Sequence, residues 1–282
     1  MRVFAIGVRR GIAEHGQYLR NRRELFGSLL GTVGVFLALA LWQGGEPVEG
    51  TQASKAVLMA AGFVAFSIFS VALLGLPMTI TADREEGALL RLRAVPGGIP
   101  AYLVGRAVSV LAQIVMYVVL IFAAGIAFTD LTLPSTAGDW FTLAWVLALG
   151  TLAVVPLGAA LGALLPGPRN AASIMSLPTT GLMLISGVML PMTIMAEPVR
   201  WVAQAFPLYW TGLGLRSALL PDSMLAAEIG QSWRLGETAA VLGAWAVAGL
   251  LLAPWLLRRM TARESGSRLA ERQERRAAQG AF

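Results

Sequence analysis

The sequence predicts an all-α protein that crosses a membrane several times. Of its 282 residues, 56% are apolar and only 13% are charged, whereas a soluble domain carries about 25% charged residues. The apolar residues also lie in uninterrupted runs of roughly twenty, the length that a helix needs to cross about 30 Å of hydrocarbon. Composition and run length together therefore indicate a polytopic membrane protein.

Six runs without Asp, Glu, Lys or Arg are long enough to be membrane spans. Of the 22 Lys and Arg residues, 18 lie before span 1 or after spans 2, 4 and 6. By the positive-inside rule, we expect both termini in the cytoplasm and the chain in the cytoplasmic membrane. Residues 1–257 then form one six-span domain, and residues 258–282 form a basic cytoplasmic tail. The predicted spans are 25–42, 56–80, 107–128, 140–165, 171–195 and 238–257.

The first 24 residues mix arginines with apolar side chains. Val3, Phe4, Ile12 and Leu19 lie among several arginines in this segment. This pattern predicts a short amphipathic helix that lies in the inner membrane interface. A solvated basic arm is the alternative interpretation.

The chain lacks the residues that several chemistries need. It has no Gly-x-x-x-x-Gly-Lys-[Ser/Thr] phosphate loop, and its only lysine, Lys55, is on the predicted outer side. None of the six runs contains Asp, Glu, Lys, Arg or His, at least one of which a proton- or sodium-coupled carrier usually keeps. Without cysteine and with one histidine, little is left to bind a metal. We expect no catalysis, cofactor, metal or nucleic acid on this chain.

The predicted cytoplasmic loop between spans 2 and 3 contains a potential short helix. Acidic residues come first and basic residues last, an order that matches the helix macrodipole, and Pro96-Gly97-Gly98 would end the helix. Its leucines form an apolar side that needs a partner, so the pattern favours docking into a cleft on another protein. A solvated connector is the alternative. The candidate docking residues are Arg84, Glu85, Glu86, Gly87, Leu89, Leu90, Arg91, Leu92, Arg93 and Pro96.

Prolines and glycines mark places where the predicted spans depart from regular packing. Pro178 and Pro191 each remove a backbone donor from span 5 and are expected to kink it. Two Gly-x-x-x-Gly spacings, Gly158 to Gly162 and Gly27 to Gly31, favour close helix approach, within the chain rather than across a dimer.

Two blocks make the sequence resemble the type-2 ATP-binding-cassette (ABC-2) exporter permeases. The first runs from Arg84-Glu85-Glu86-Gly87-Ala88-Leu89 through Pro96 to Gly105-Arg106. Here Ala88 replaces the usual Thr, and Arg106 stands where Lys is common. The second block is Pro191, then Glu197 to Pro207, then Arg216. With the six-span plan, the resemblance covers nearly the whole chain.

The resemblance implies a complex of two permease halves, identical or different, with two copies of a separate ATPase that binds ATP and Mg²⁺. The loop helix around Glu85 to Arg93 would transmit ATP-driven closure, and the amino-terminal helix would lie as an elbow on the membrane. The length of the chain is closest to drug- and antibiotic-resistance exporters, followed by lipid or polysaccharide exporters. From other classes, a scaffold or sensor that docks an ATPase stays open, as does an intramembrane enzyme using Asp83 with Arg84 or Glu197 with Arg200.

The family places the substrate pathway between spans 2 and 5 at the dimer interface. A surface of aromatic, Met and Ser side chains accepts large hydrophobic ligands, although helix packing or lipid contact explains the same residues. Segment 196–237 is expected to form one or two re-entrant helices that act as an exit lid. The pathway candidates are Phe63, Phe66, Ser70, Leu73, Met175, Pro178, Met183 and Ser186, and the lid candidates are Trp201, Phe206, Tyr209 and Trp210.

Overall fold

The computed structural model describes residues 2–48, 51 and 53–263, with side chains described to residue 260. Within these residues, ten α-helices are joined by turns and short 3₁₀ segments. The helices are α1 (Arg2–Arg20), α2 (Arg22–Gln43), α3 (Lys55–Glu85), α4 (Ala88–Arg93), α5 (Gly98–Phe128), α6 (Ala137–Leu164), α7 (Pro168–Ile185), α8 (Glu197–Ala205), α9 (Pro207–Leu219) and α10 (Leu235–Arg263).

Five of these helices are long and apolar enough to cross a membrane, namely α2, α3, α5, α6 and α10. They correspond to five of the six predicted spans, so the all-helical, multi-pass fold is confirmed. The bounds predicted for span 5, 171–195, are wrong because α7 begins at Pro168 and ends at Ile185. Gly187 there adopts a left-handed conformation with φ of +72°, which an α-helix cannot continue through.

The helix α3 forms the centre of the bundle. In its most apolar 18-residue stretch, 78% of residues are buried, against 17% to 44% in the other four long helices. Phe63 lies in this core between Phe36 of α2, at 5.7 Å between ring centroids, and Phe66, at 6.4 Å. The helices α2, α5, α6, α7 and α9 all contact this central helix.

Close packing of α6 on α3 depends on two glycines. A Cβ atom at Gly158 would lie 1.7 Å from the Ala72 carbonyl oxygen, and one at Gly162 would lie 3.0 Å from Ile80 Cβ. The prediction that this Gly-x-x-x-Gly pair lets two helices approach within the chain is confirmed. For Gly27 and Gly31 the same prediction is wrong, because a Cβ there would meet nothing within 4 Å.

The amino-terminal helix α1 packs along α5, and a third Gly-x-x-x-Gly pair, Gly7 and Gly11, both buried, lies in this contact. A Cβ at Gly7 would lie 2.6 Å from Val104 Cβ, and one at Gly11 would lie 2.5 Å from the Gly105 carbonyl oxygen. The apolar side chains of α1, including Phe4, stay exposed. The helix is therefore docked by its glycines, and its apolar side chains remain available for other contacts.

The last helix, α10, packs along α6 and continues past residue 257, where the sequence predicted the span to end. Leu257 and Met260 are buried with Leu89 and Tyr102. The first residues assigned to the basic tail thus belong to this helix. Residues 264–282 of the predicted tail lie outside the described residues.

The docking of α1 can be tested by adding one methyl group at two positions. Gly11→Ala should destabilise the protein by about 1–3 kcal/mol, because the new Cβ forces α1 away from α5. Gly16→Ala is the matched control, since a Cβ at Gly16 has open space and alanine favours a helix. Thermal unfolding in detergent measures both variants. Equal unfolding temperatures would contradict the glycine contact.

Candidate functional site

The segment that leads from α3 to α5 contains the short helix α4, and the end of α3 meets α4 at Gly87. The sequence predicted one short helix with its acidic residues at the start, and this is wrong in its bounds. Arg84 and Glu85 belong to the last turn of α3, and only Ala88–Arg93 form α4. The break lies at Gly87, whose φ of +72° ends α3 in a left-handed cap.

The leucines of α4 face mainly into the protein. Leu89, a candidate docking residue, is buried with Ile80 and Tyr102 and packs inside the protein. Leu90 and Leu92 are half-buried. What α4 and the following turn present outward is Arg91, Arg93 and residues 94–96, including Val95 with 56% of its surface exposed. We call residues 91–96 the exposed tip.

The buried Arg84 side chain connects α3 with α6. Its Nη2 donates a hydrogen bond to the Leu165 carbonyl oxygen at 2.5 Å. The neighbouring Glu85 side chain reaches the turn into α7, where a Cβ at Gly167 would lie 2.5 Å from its Oε1. The end of α3 is therefore attached to the connection between α6 and α7.

A charged network joins α1, α3 and α5 beside the exposed tip. Arg106 donates to Asp83 Oδ2 through Nη2 at 2.5 Å and lies 3.1 Å from Glu14 Oε2 through Nη1. Tyr102 donates its hydroxyl to the same Asp83 oxygen at 2.7 Å, and Arg10 pairs with Glu14 at 2.7 Å. Asp83 lies in the last turn of α3, where the negative end of the helix macrodipole disfavours a carboxylate. The positive charge of Arg106 offsets this repulsion.

The candidate pathway residues on α3 divide into a buried and an accessible group. Phe63 is fully buried in the core. Phe66, Ser70 and Leu73 are half-buried at i, i+4 and i+7 spacing, which places them on one side of the helix.

On α7, Pro178 is exposed, Met175 and Met183 are half-buried, and Ser186 is buried just beyond the helix. Only Ala171 and Thr179 of the 18 residues in α7 are buried, and Leu177 exposes 79% of its surface. Val188 packs against Gly62 of α3. The helices α3 and α7 pack against each other, and we call their accessible residues the α3–α7 face.

The segment after α7 contains two short helices, α8 and α9, where the sequence predicted one or two. Its aromatic residues differ in their exposure. Trp201 exposes 68% of its surface, whereas Tyr209 and Trp210 are buried. Phe206 stacks on Trp245 of α10, with 6.4 Å between ring centroids. Of the four expected lid residues, Tyr209 and Trp210 pack against each other in the core.

A buried ion pair holds this segment together. Arg216 of α9, 1% exposed, donates from Nε to Glu228 Oε1 at 2.5 Å and from Nη2 to Oε2 at 3.2 Å. Its Nη1 donates to the Gly187 carbonyl oxygen at 3.2 Å, directly after α7. Glu228 was not singled out in the sequence, where a lone acidic residue between Ala227 and Ile229 was the available signal. The pair joins α9, residues 222–231 and the end of α7.

Within residues 2–48, 51 and 53–263, no three His, Asp or Glu side chains are grouped to hold a metal ion. Arg200, considered above as a partner of Glu197, donates to the carbonyl oxygens of Met195 at 2.8 Å and Thr193 at 2.5 Å. The contacts of the described ionisable residues thus link helices to each other and to freed carbonyl groups.

The fold and this site define a multi-pass membrane protein of the transport permease class. Residues 4–220 match the family model described as ABC-2 type transporter. The match covers more than half of the chain, so the chain belongs to the ABC-2 type transporter family and is the membrane component of an ABC transporter. A comparison with curated proteins found no match.

The buried ion pair leads to a stability prediction. Glu228→Gln should destabilise the protein by about 3–5 kcal/mol, because the Arg216 guanidinium then remains buried without a counter-charge. Glu237→Gln, which removes the exposed partner of Arg234, is the matched control and should leave the unfolding temperature unchanged. Thermal unfolding in detergent measures both.

A double variant separates the charge from the packing. Replacing Arg216 and Glu228 together by Met and Leu should recover stability relative to Glu228→Gln, because no charge is left unpaired. If Glu228→Gln unfolds at the same temperature as Glu237→Gln, the buried pair does not hold the segment.

Proposed function

We propose that this chain is one half of the permease of an ATP-driven exporter that moves a hydrophobic small molecule out across the cytoplasmic membrane of a bacterium. The observation that carries the proposal is the α3–α7 face, an accessible and largely apolar surface in the middle of a membrane domain. Residues 56–82 and 170–196 contain no ionisable side chain. Such a surface suits a ligand that enters from the bilayer.

The proposed topology has six spans, with α7 as the fifth, and both termini in the cytoplasm. It is supported by the arginine-bearing segments that pack together at one end of the bundle. There Arg106 of α5 contacts Glu14 of α1, Arg84 of α3 contacts Leu165 after α6, and Met260 of α10 packs near Leu89. The positive-inside rule assigns this end to the cytoplasm, where α1 would lie as an elbow in the inner leaflet.

A second permease half would complete the pathway. The helix α7 is buried on one side only, although it lies between membrane spans in the chain. A second copy of this chain, or a related permease, would enclose the α3–α7 face between two halves. The enclosed volume would be lined by Phe66, Ser70, Leu73, Met175 and Met183.

The energy would come from two copies of a partner ATPase that bind ATP and Mg²⁺. The exposed tip is the candidate contact, since it lies at the arginine-bearing end and presents Val95 with the charged Arg91 and Arg93. Pressure on the tip would reach α3 through Gly87 and α1 through the network of Asp83, Arg106 and Glu14. Tilting of α3 would then change the α3–α7 face from inward to outward access.

The side chains of this face favour drug-like or antibiotic compounds. A lipid or polysaccharide exporter is the second candidate within the family, and it is favoured by the exposure of α7, which would let a lipid enter sideways. A scaffold or sensor that docks an ATPase without transport predicts the same tip and no substrate-dependent turnover.

The proposal is tested by purifying the chain from its native membrane and identifying co-purifying proteins by mass spectrometry. An ATPase with a phosphate loop should be present in stoichiometric amount.

Val95→Asp should lower substrate-stimulated ATP hydrolysis at least about tenfold, because a buried unpaired carboxylate is costly in an interface. Leu133→Asp is the matched control, since Leu133 is similarly exposed in the connection between α5 and α6.

Equal stimulation in the Val95→Asp and Leu133→Asp variants would show that the tip is not the ATPase contact. An ATPase that binds without substrate-dependent turnover would favour the sensor over the exporter. The absence of any ATPase, under conditions that keep other weak complexes, would overturn the proposal.

A further inference from the structure

The middle of α3 contains more backbone acceptors than donors. The helix widens into a π turn at Val71–Gly75, in which the Leu76 N–H bonds the Val71 carbonyl, and Pro77 follows without an N–H. Regular α-helical bonding resumes at the Gly75 carbonyl. The N–H of Leu76 is already used and Pro77 has none. The three carbonyls of residues 72–74 therefore share a single main-chain donor, the N–H of Met78.

The position of these carbonyls decides which of them is accessible. The Ala72 oxygen points at Gly158 of α6, where a Cβ would lie only 1.7 Å away. Leu73 and Leu74, which carry the other two carbonyls, are half-buried, and Leu73 is one of the residues of the α3–α7 face. Because one N–H cannot fill both sites, at least one of these two carbonyls lacks a main-chain partner at this face.

The helix α7, which packs against α3, also contains a proline that leaves a carbonyl without its main-chain donor. Pro178 lies inside α7 and cannot donate to the carbonyl of Ile174, four residues earlier. The two helices touch where Val188 meets Gly62 and where Gly167 meets Glu85. Leu73 and Pro178 each lie about halfway between these contacts, so the freed carbonyls of both helices lie within roughly one turn of the same depth.

Side-chain hydroxyls around the freed carbonyls also present acceptors. Three hydroxyls donate to main-chain carbonyl oxygens of their own helix: Thr79 to that of Gly75 at 2.9 Å, Ser173 to that of Arg169 at 3.1 Å, and Ser176 to that of Ser173 at 3.2 Å. Their hydrogens are thus directed to their own helices, and the oxygen lone pairs remain for other donors. In an apolar environment, each such acceptor strongly favours a ligand that carries N–H or O–H groups.

We propose that the α3–α7 face selects its ligand by hydrogen-bond acceptors, so that the transported compounds are apolar molecules carrying N–H donors, best as a protonated primary or secondary amine. The inference rests on the proposed function for the role of this face. It assigns the preference to backbone carbonyls freed by Pro77 and Pro178, without a carboxylate. An anionic compound of the same shape is excluded because it brings only acceptors.

The experiment uses the full chain in lipid nanodiscs and three anthracene probes that share one ring system. One carries an aminomethyl group, one a trimethylammoniomethyl group and one a carboxylate, which separates hydrogen-bond donation from charge. Fluorescence anisotropy measures their dissociation constants. The aminomethyl probe should bind at least about tenfold more tightly than either of the others, as expected for hydrogen bonds from a charged donor.

Two variants test the freed carbonyls directly. Pro77→Ala and Pro178→Ala each add an N–H that occupies a carbonyl on the face, and each should reduce the preference for the aminomethyl probe at least about threefold. Pro156→Ala in α6 and Pro254→Ala in α10 are matched controls, because these prolines also lie inside helices but away from the face. The controls should keep the preference of the unmodified chain.

The outcomes distinguish this inference from the proposed function. Equal binding of the three probes to the unmodified chain would overturn the inference without using any variant, even if the partner ATPase co-purifies. A preference that survives Pro77→Ala and Pro178→Ala in folded protein would also overturn it. Selective amine binding without a co-purifying ATPase would support the acceptor face and reject the exporter.

Discussion

The structure depends on how backbone carbonyls are satisfied where helices stop inside an apolar bundle. Hydrocarbon offers no donors, so each released carbonyl must bond protein or line a cavity. Three arginines supply donors at such places: Arg84 to Leu165 after α6, Arg216 to Gly187 after α7, and Arg200 to Thr193 and Met195 before α8. Charged side chains that seem misplaced in a hydrophobic protein therefore allow its helices to end and turn within the bundle.

The same constraint gives the α3–α7 face its special character. Arginines reach the helix ends, whereas the carbonyls released by Pro77 and Pro178 lie in the middle of their helices, in stretches without any ionisable residue. One released carbonyl, that of Ala72, is covered by Gly158, where the close approach of α6 replaces a hydrogen bond with a weaker contact. The acceptors that remain lie where the bundle is open. The polarity of the face thus comes from backbone carbonyls and hydroxyl groups, without any charged side chain.

Much of the fold could be predicted because long charge-free runs determine five of the spans. The end of α7 could not, since Gly187 lies within such a run and its turn is supported by Arg216, far along the chain. The docking of α1 was missed because its glycines are separated by arginines that indicated only a membrane surface. Glu228 lies between the apolar residues Ala227 and Ile229, but nothing near it in the sequence indicates Arg216 as its partner. For the candidate site, the sequence located the segment between α3 and α5, but not that Leu89 turns inward, because that depends on where Gly87 breaks the helix.

The contacts at the two ends of α7 connect the proposed ATPase side with the proposed exit. At its beginning, Glu85 lies against Gly167 and Arg84 bonds the Leu165 carbonyl, so the end of α3 is attached to the turn that leads into α7. At its end, Arg216 holds Gly187 to α9. Between these attachments α7 is exposed and carries Pro178, where a helix bends most readily. A movement of α4 that reaches α3 through Gly87 would therefore shift the beginning of α7 while its end stays in place. The helix would bend at Pro178, and the depth and spacing of the acceptors on the α3–α7 face would change.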